Sequence, residues 1–292
     1  MNDYIIRASA ANSSIRAFAA STKEMVENSR SIHKLSPAAT IALGRTLTAT
    51  SIMSCFGKGE KDTLTFQIRS DGPLGGIVCV GSHGTVRGYV HNPLVESIFN
   101  GSGSMNIGAV VGKNGHLNII RDMGMKEPYI GFTKLESGEI AEDLSRYFAY
   151  SEQIPTVVSL GVLLDKENYC VGEAGGFIIQ LLPNAEASLV DFLEEKTRNL
   201  PSITTMLYEG MTVEDIMESI LGELDLHIHQ KYKTQYKCNC SRIRMRDNLI
   251  TLGHKEIEDI IIEMGEAELQ CHFCNTYYKF DREELQEITK TM

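Results

Sequence analysis

Four cysteines toward the C-terminal end, Cys238, Cys240, Cys271 and Cys274, have the residue type and spacing of a metal site. They run as Cys-Asn-Cys, thirty intervening residues, then Cys-His-Phe-Cys. Four thiolates match a closed, tetrahedral zinc site; an iron–sulfur cluster or unliganded thiols are the alternatives for the same pattern. A lone Cys-x-x-Cys also occurs in thiol redox proteins, whereas two tight pairs within one short tail point to a shared metal. Runs at 268–270 and 277–280 read as strands flanking the second pair, and Asp281 with Glu284 opens a closing helix, the local grammar of a zinc knuckle. His254 and His272 could compete as ligands, but four sulfurs already fill the tetrahedron, so both are expected at the surface.

A site with every position filled has no place for a water or substrate, so Lewis-acid catalysis is not expected of it. Zinc itself has no redox chemistry, but its thiolate ligands are the form that oxidants attack. Structural zinc contributes on the order of 10–16 kcal/mol in small modules. A domain is stable by only about 5–15 kcal/mol, so losing the ligand set should unfold a short tail. Local pairing is geometrically favoured for Cys271 with Cys274, which lie across a turn. Cys238 with Cys240 is harder, because an extended Cys-x-Cys spans about 6.6–7.2 Å, so that pair is expected to oxidise later. On spacing alone, a static zinc staple and a redox-sensing site stand side by side.

The elements that must position these groups read as α+β. Runs at 4–8 and 15–19 look like strands separated by a turn at Ala11-Asn12-Ser13. A helix is expected over 37–56, with Ser36 as N-cap, Pro37 in the first turn and Gly57 as a left-handed C-cap. From 63 to 90 the apolar period becomes two, with turns at Asp71-Gly72-Pro73 and Ser82-His83-Gly84, an antiparallel meander. Further strands are expected at 108–111, 116–121, 129–133, 157–164 and 177–182, and a helix at 139–150. After Pro183 the pattern turns helical. Asn184 is a candidate cap for a helix carrying Leu189, Phe192 and Leu193. Thr212 with Asp215 caps another, whose stripe is Val213, Ile216, Met217, Ile220, Leu221 and Leu224. Three parts follow: residues 1–183, an α+β core domain; 184–232, an amphipathic helical linker that either packs on the core or detaches; and 233–292, a four-cysteine zinc domain.

The chain of 292 residues carries a formal charge of -10, which argues against general affinity for nucleic acid or an acidic membrane surface. No run approaches the roughly 20 apolar residues needed to span a bilayer, and the first residues show no secretion-signal pattern. Of the seven cysteines, Cys55, Cys79 and Cys170 sit among apolar neighbours and read as structural thiols. The odd total does not suit a disulfide framework, so a reducing cytoplasm is expected.

With its mixed α+β part, helical linker and C-terminal Cys-x-Cys…Cys-x-x-Cys, the chain resembles the heat-shock protein 33 family over essentially its whole length. The runs GPLGGIVCVGSHGTVRGYVHNP, at 72–93, and GEAGGFIIQLLP, at 172–183, look like that family's core motifs. The resemblance implies a redox-regulated holdase chaperone of the stress response rather than an enzyme. Reduced and zinc-bound, such a protein is compact and inactive. Oxidant with unfolding stress converts Cys238, Cys240, Cys271 and Cys274 to two disulfides, expels zinc and unfolds tail and linker. The activated form is a homodimer that holds unfolding client proteins without ATP, and no phosphate-loop fingerprint is present here. Met206, Met211 and Met217 give the linker an adaptable apolar face for varied clients.

Three other readings remain. A thiol oxidoreductase would need Cys271-His272-Phe273-Cys274 at a helix N-terminus, where two strands are expected instead. A nucleic-acid-binding zinc ribbon would use a basic strand carrying Arg242, Arg244 and Arg246 with Tyr277 and Tyr278. The tail's nine Lys/Arg against eleven Asp/Glu argue against that. A hydrolase or transferase would draw on His33, His83 or His91, around which no nucleophile–base spacing is present.

Overall fold

The structure, a computed structural model, describes residues 3–57, 59, 61–183 and 185–292. It divides after Lys237 into two compact units, Met1–Lys237 and Cys238–Met292.

The first unit is built from two sheets and a buried helix. Strands β1 (Tyr4–Ala10) and β2 (Ile15–Ser21) form a hairpin whose turn residues Ala11, Asn12 and Ser13 all have positive φ. Helices α1 (Lys23–His33) and α2 (Pro37–Ser54) follow. The meander is β3 (Thr63–Ser70), β4 (Ile77–Ser82) and β5 (Thr85–Val90). Its alternation of apolar and polar residues sends Leu64, Phe66 and Ile68 into the core. Helix α3 (Ile107–Val111) precedes β6 (Gly115–Asp122) and β7 (Tyr129–Lys134). Helix α4 (Ile140–Tyr147) then runs into one π-turn, Phe148–Glu152, before β8 (Thr156–Leu164) and β9 (Val171–Leu181).

Helix α2 explains the core. Apart from Arg45, its sequence is apolar or hydroxylic around the cylinder, and 16 of its 18 residues are buried. The hydroxyls of Thr46, Thr48 and Thr50 donate to the carbonyls of Ala42, Gly44 and Thr46, so the buried polar atoms stay satisfied. A Cβ on Gly44 would come within 2.8 Å of both Val26 and Val162, which is why a side chain is absent there. Ser36 caps the helix by accepting from the Ala39 N–H. The C-terminal end differs from expectation: the helix stops at Ser54 with Cys55 at φ -91, and Gly57 is not left-handed. Residues 108–111 are not a strand. Asn106 accepts from the Ala109 N–H and starts a helical turn, which overrides the β-branched content of so short a run.

Helices α5 (Ser188–Arg198), α6 (Ile203–Tyr208) and α7 (Val213–Leu221) cover the second face of the β1–β2–β9 sheet. There Leu193, Ile203, Met206, Ile216, Met217 and Ile220 meet Ile6, Ala8, Ala17, Ala19, Phe177 and Ile179. Thr212 and Asp215 form the expected capping box. Asn184 lies outside the described residues. The helical run ends earlier than 232: β10 (His227–Lys233) joins the edge of the first sheet beside β1, giving the order β10–β1–β2–β9–β8. Its side chains are exposed on both faces, so no apolar alternation announces it.

The next residues are pinned to the second sheet. Buried Thr234 bonds Ser51 at 2.6 Å and the Gly84 carbonyl at 2.7 Å. Gly84, at φ 78, admits the Lys233 carbonyl where a Cβ would clash. Strand β11 (Gln235–Tyr236) pairs parallel with β5, completing the order β11–β5–β4–β3–β6–β7. The first unit therefore extends five residues past the boundary read from sequence, because this pairing holds 233–237 to the core.

The second unit contains α8 (Arg242–Ile250), α9 (His254–Glu263), the hairpin β12 (Ala267–Gln270) and β13 (Tyr277–Phe280), and α10 (Arg282–Thr291). Its core is small: Met245, Leu249, Ile257, Ile261, Phe280 and Leu285, with Cys271, form most of it. Both strands and the Asp281–Glu284 capping box stand where the sequence places them. Arg242, Arg244 and Arg246 are helical, not on a strand, because Ser241 caps α8 by accepting from the Arg244 N–H.

Candidate metal centre

Cys238 and Cys240 lie in the segment that leads into α8, and Cys271 and Cys274 in the turn between β12 and β13. That turn is closed by backbone bonds from Cys271 N–H to the Thr276 carbonyl (2.9 Å) and from Asn275 N–H to the Cys271 carbonyl (2.8 Å). Asn275 takes the left-handed conformation the turn needs, at φ 56.

The two segments bring all four sulfurs within 4.8 Å of one another. Cys238 Sγ lies 3.7 Å from Cys271 Sγ, and Cys240 Sγ lies 3.3 Å from Cys274 Sγ, contacts that run between the two pairs. Four sulfurs about 2.3 Å from one tetrahedral ion would sit about 3.8 Å apart, so the donor set fits such an ion. Cys271 is buried and the others half-buried. Neither His254 nor His272 belongs to the cluster. His254 is exposed and lies 3.4 Å from Glu258.

The surroundings raise two of the thiols and lower a third. Burial pushes the Cys238 thiol up, with its cysteine neighbours adding to the rise, and burial also raises Cys271. For Cys274 burial acts the same way but is outweighed, first by hydrogen bonding to Thr276 and then by Cys240 and Cys238, leaving it at about 7. The Tyr278 hydroxyl, 3.1 Å from Cys240 Sγ, is raised to about 12 by that hydrogen bond, next by desolvation, and further by the neighbouring sulfur charges. Tyr278 and Thr276 are outer partners that sequence reading did not assign; their positions two and four residues after Cys274 on the hairpin are the only signal. Arg242 braces the site: its Nη2 donates to Glu284 (2.6 and 2.7 Å) and to the Lys279 carbonyl (2.6 Å), joining α8, β13 and α10.

The remaining candidates are dispersed. Cys55 and Cys79 are buried, and burial raises both thiols, Cys55 to about 12. Cys170 is half-buried rather than buried, 3.5 Å from an Arg30 nitrogen. His33 bonds the Tyr236 hydroxyl, His83 the Gly59 carbonyl, and His91 stacks on Tyr89. Cys271 and Cys274 occupy a hairpin turn, not the helix N-terminus that an oxidoreductase motif requires. Among the described residues no helix is long and apolar enough to cross a membrane.

Comparison with known proteins agrees over the full length. The family described as Hsp33 protein matches residues 3–281. A protein named 33 kDa chaperonin from Ruminiclostridium cellulolyticum is 50% identical over 291 residues, covering 99% of each chain. Another of that name, from Acetivibrio thermocellus, is 48% identical, covering 99% of this chain and 98% of its own. The crystal structure of the 33 kDa chaperonin (heat shock protein 33 homolog) from Thermotoga maritima superposes with a TM-score of 0.91 at 36% identity, covering 100% of this chain and 99% of that one.

Proposed function

Because the chain belongs to the Hsp33 protein family, a family of chaperones, we propose that it is a redox-regulated holdase whose switch is the cluster Cys238, Cys240, Cys271 and Cys274. One observation carries the reading: two cysteine pairs thirty residues apart converge, in a unit with little other core. In the reduced state the four sulfurs hold one zinc ion as thiolates, which supplies the folding free energy that nine buried residues cannot.

Oxidation joins Cys238 to Cys240 and Cys271 to Cys274. Each thiolate pair would give two electrons to one hydrogen peroxide, forming one S–S bond, while two protons taken up from solvent complete two waters; once both pairs have reacted the metal would leave as the free divalent ion. Sulfurs so joined are no longer thiolate donors, so the unit loses its staple and unfolds. When unfolding stress is added to the oxidant, helices α5–α7 release, and their apolar face, with the sheet face beneath it, holds unfolding client proteins without ATP. The activated chain pairs as a homodimer, and the resting form belongs in a reducing cytoplasm. Functionally the chain is thus divided into core (1–183), linker (184–232) and switch (233–292), the switch being anchored through 233–237.

The test is light scattering of a thermally unfolding client with reduced and peroxide-treated protein, zinc release being followed in the same samples. Suppression that appears only after oxidation, in step with zinc release, is expected. Equal behaviour in the two states would reduce the cluster to a static staple. Disulfide mapping at partial oxidation tests the pairing, since Cys238–Cys271 and Cys240–Cys274 bridges are the alternative that the sulfur contacts suggest.

A further inference from the structure

The four sulfurs of the metal centre do not take their hydrogen bonds from one kind of donor. Cys238 Sγ accepts from the Cys240 N–H, and Cys271 Sγ from the N–H groups of Phe273 and Cys274. Cys274 Sγ is served by the Thr276 N–H, with the Thr276 hydroxyl 3.2 Å away. All of these are local bonds, made within one cysteine segment. Cys240 Sγ instead meets the hydroxyl of Tyr278 at 3.1 Å, a side chain 38 residues further along and carried by the other segment.

Strand β13 places Tyr278 for that contact. Its alternation turns Tyr277 out to solvent and seats the Tyr278 ring, half-buried, opposite Leu269 and against the small core. Seated so, the ring carries its hydroxyl to Cys240. A thiolate has lone pairs and no proton to give, so toward a metal-bound sulfur the phenol O–H donates and Sγ accepts. Such a bond holds the sulfur in place and draws charge from it, and that charge is what an attack on an oxidant must spend.

We propose that Tyr278 is a positioning residue that restrains Cys240: its hydroxyl holds this sulfur in the cluster and slows its reaction with electrophiles, peroxide among them. The inference rests on the redox-switch reading and adds to it a group that sets how readily one sulfur reacts. With peroxide, the Cys240 thiolate forms an S–O bond as the O–O bond breaks, and the departing hydroxide takes a proton from solvent. The Cys238 thiolate then attacks the Cys240 sulfur, forming the S–S bond and expelling a second hydroxide that is likewise protonated. The Tyr278 bond opposes the first of these steps, because it withdraws charge from the sulfur that must give up the electron pair.

Site-resolved alkylation of the reduced, zinc-loaded full chain with iodoacetamide, read by mass spectrometry, tests this independently of chaperone activity. Tyr278→Phe removes one oxygen and keeps the ring. It should speed labelling of Cys240 about fivefold while Cys271 stays within about twofold and zinc binding is kept. Thr276→Val should speed Cys274 and not Cys240, and Tyr277→Phe should change neither. With peroxide, Tyr278→Phe should close Cys238–Cys240 sooner by a similar factor. Unchanged labelling of Cys240, equal acceleration of all four cysteines, or a Tyr278→Phe chain that no longer binds zinc would each overturn the proposal, the last two because the hydroxyl then serves folding alone. Failure of the redox-switch reading is a separate result: the unaltered chain would then treat an unfolding client alike before and after peroxide, whatever the labelling rate of Cys240.

Discussion

If α7 is a detachable cover, weakening its seat should release it without any oxidant. Ile216 is fully buried between the helix and the β1–β2–β9 sheet. Ile216→Ala removes three carbons, worth about 0.8 kcal/mol each on transfer from water, and the cavity left behind brings the loss to about 3 kcal/mol. With 1.4 kcal/mol per decade, the open population of α7 rises about a hundredfold. Hydrogen exchange of reduced protein should show α7 amides exchanging about a hundredfold faster, with an opening free energy that stays well below that of the α2 amides. The same reduced protein should suppress client aggregation above the level of the unaltered chain. If α7 amides open with the same free energy as those of α2, α7 opens only with the whole unit and is not a separate cover. If α7 alone accelerates and aggregation is unaffected, the face it uncovers is not where clients bind.

Cys271→Ser removes the most buried ligand, so bound zinc should fall well below one per chain, and protease should remove residues beyond 237 while the first unit stays intact. A strong chelator should do the same to the unaltered protein, and readdition of zinc should restore protection. Asp143, fully buried, accepts the backbone N–H groups of Glu136 (2.9 Å), Ser137 (3.3 Å) and Gly138 (2.8 Å). Asp143→Ala leaves those donors unpaired and should cost about 3–5 kcal/mol in a denaturant titration. Asp3 is buried, and desolvation lifts its carboxyl to about 6 against the opposing N–H bonds from Met25 and Glu24. The folded state then binds the proton more tightly than the unfolded one, so the Asp3 contribution to stability is present below pH about 4 and is lost as pH rises through about 6. Melting temperatures between pH 4.5 and 6.5 should show this slope, and Asp3→Asn should flatten it.

Much of this was legible in the residues because several signals agreed at each place. The meander carried period-two alternation with glycine turns, α2 had Ser36 and Pro37 at its start, and α7 had a capping box and an apolar stripe. The cysteine cluster was legible for a different reason: its residues are rare, and their spacing has few other uses. What escaped was structure held by partners far along the chain. Strand β10 buries almost nothing and exists because β1 offers it hydrogen bonds. Helix α3 overrode a β-branched run through one asparagine, and α8 placed three arginines on a helix through one serine. The contact of Tyr278 with Cys240 was invisible because no local pattern relates a tyrosine to a cysteine 38 positions away.

Thr234, Gln235 and Tyr236 lie along the chain between the linker helices and the first cysteine, and all three are fastened to the first unit. Melting that begins at Cys238 and travels along the backbone meets this fastening before it can reach β10 or α7. The Thr234 hydroxyl in its buried pocket and the Tyr236 hydroxyl on the Gly88 carbonyl make it a stop rather than a slope. Under the proposed redox function, chemical and thermal insults would act in series, as in an AND gate: oxidant would empty the last segment only as far as Lys237, and heat that loosens the stop would let the signal through.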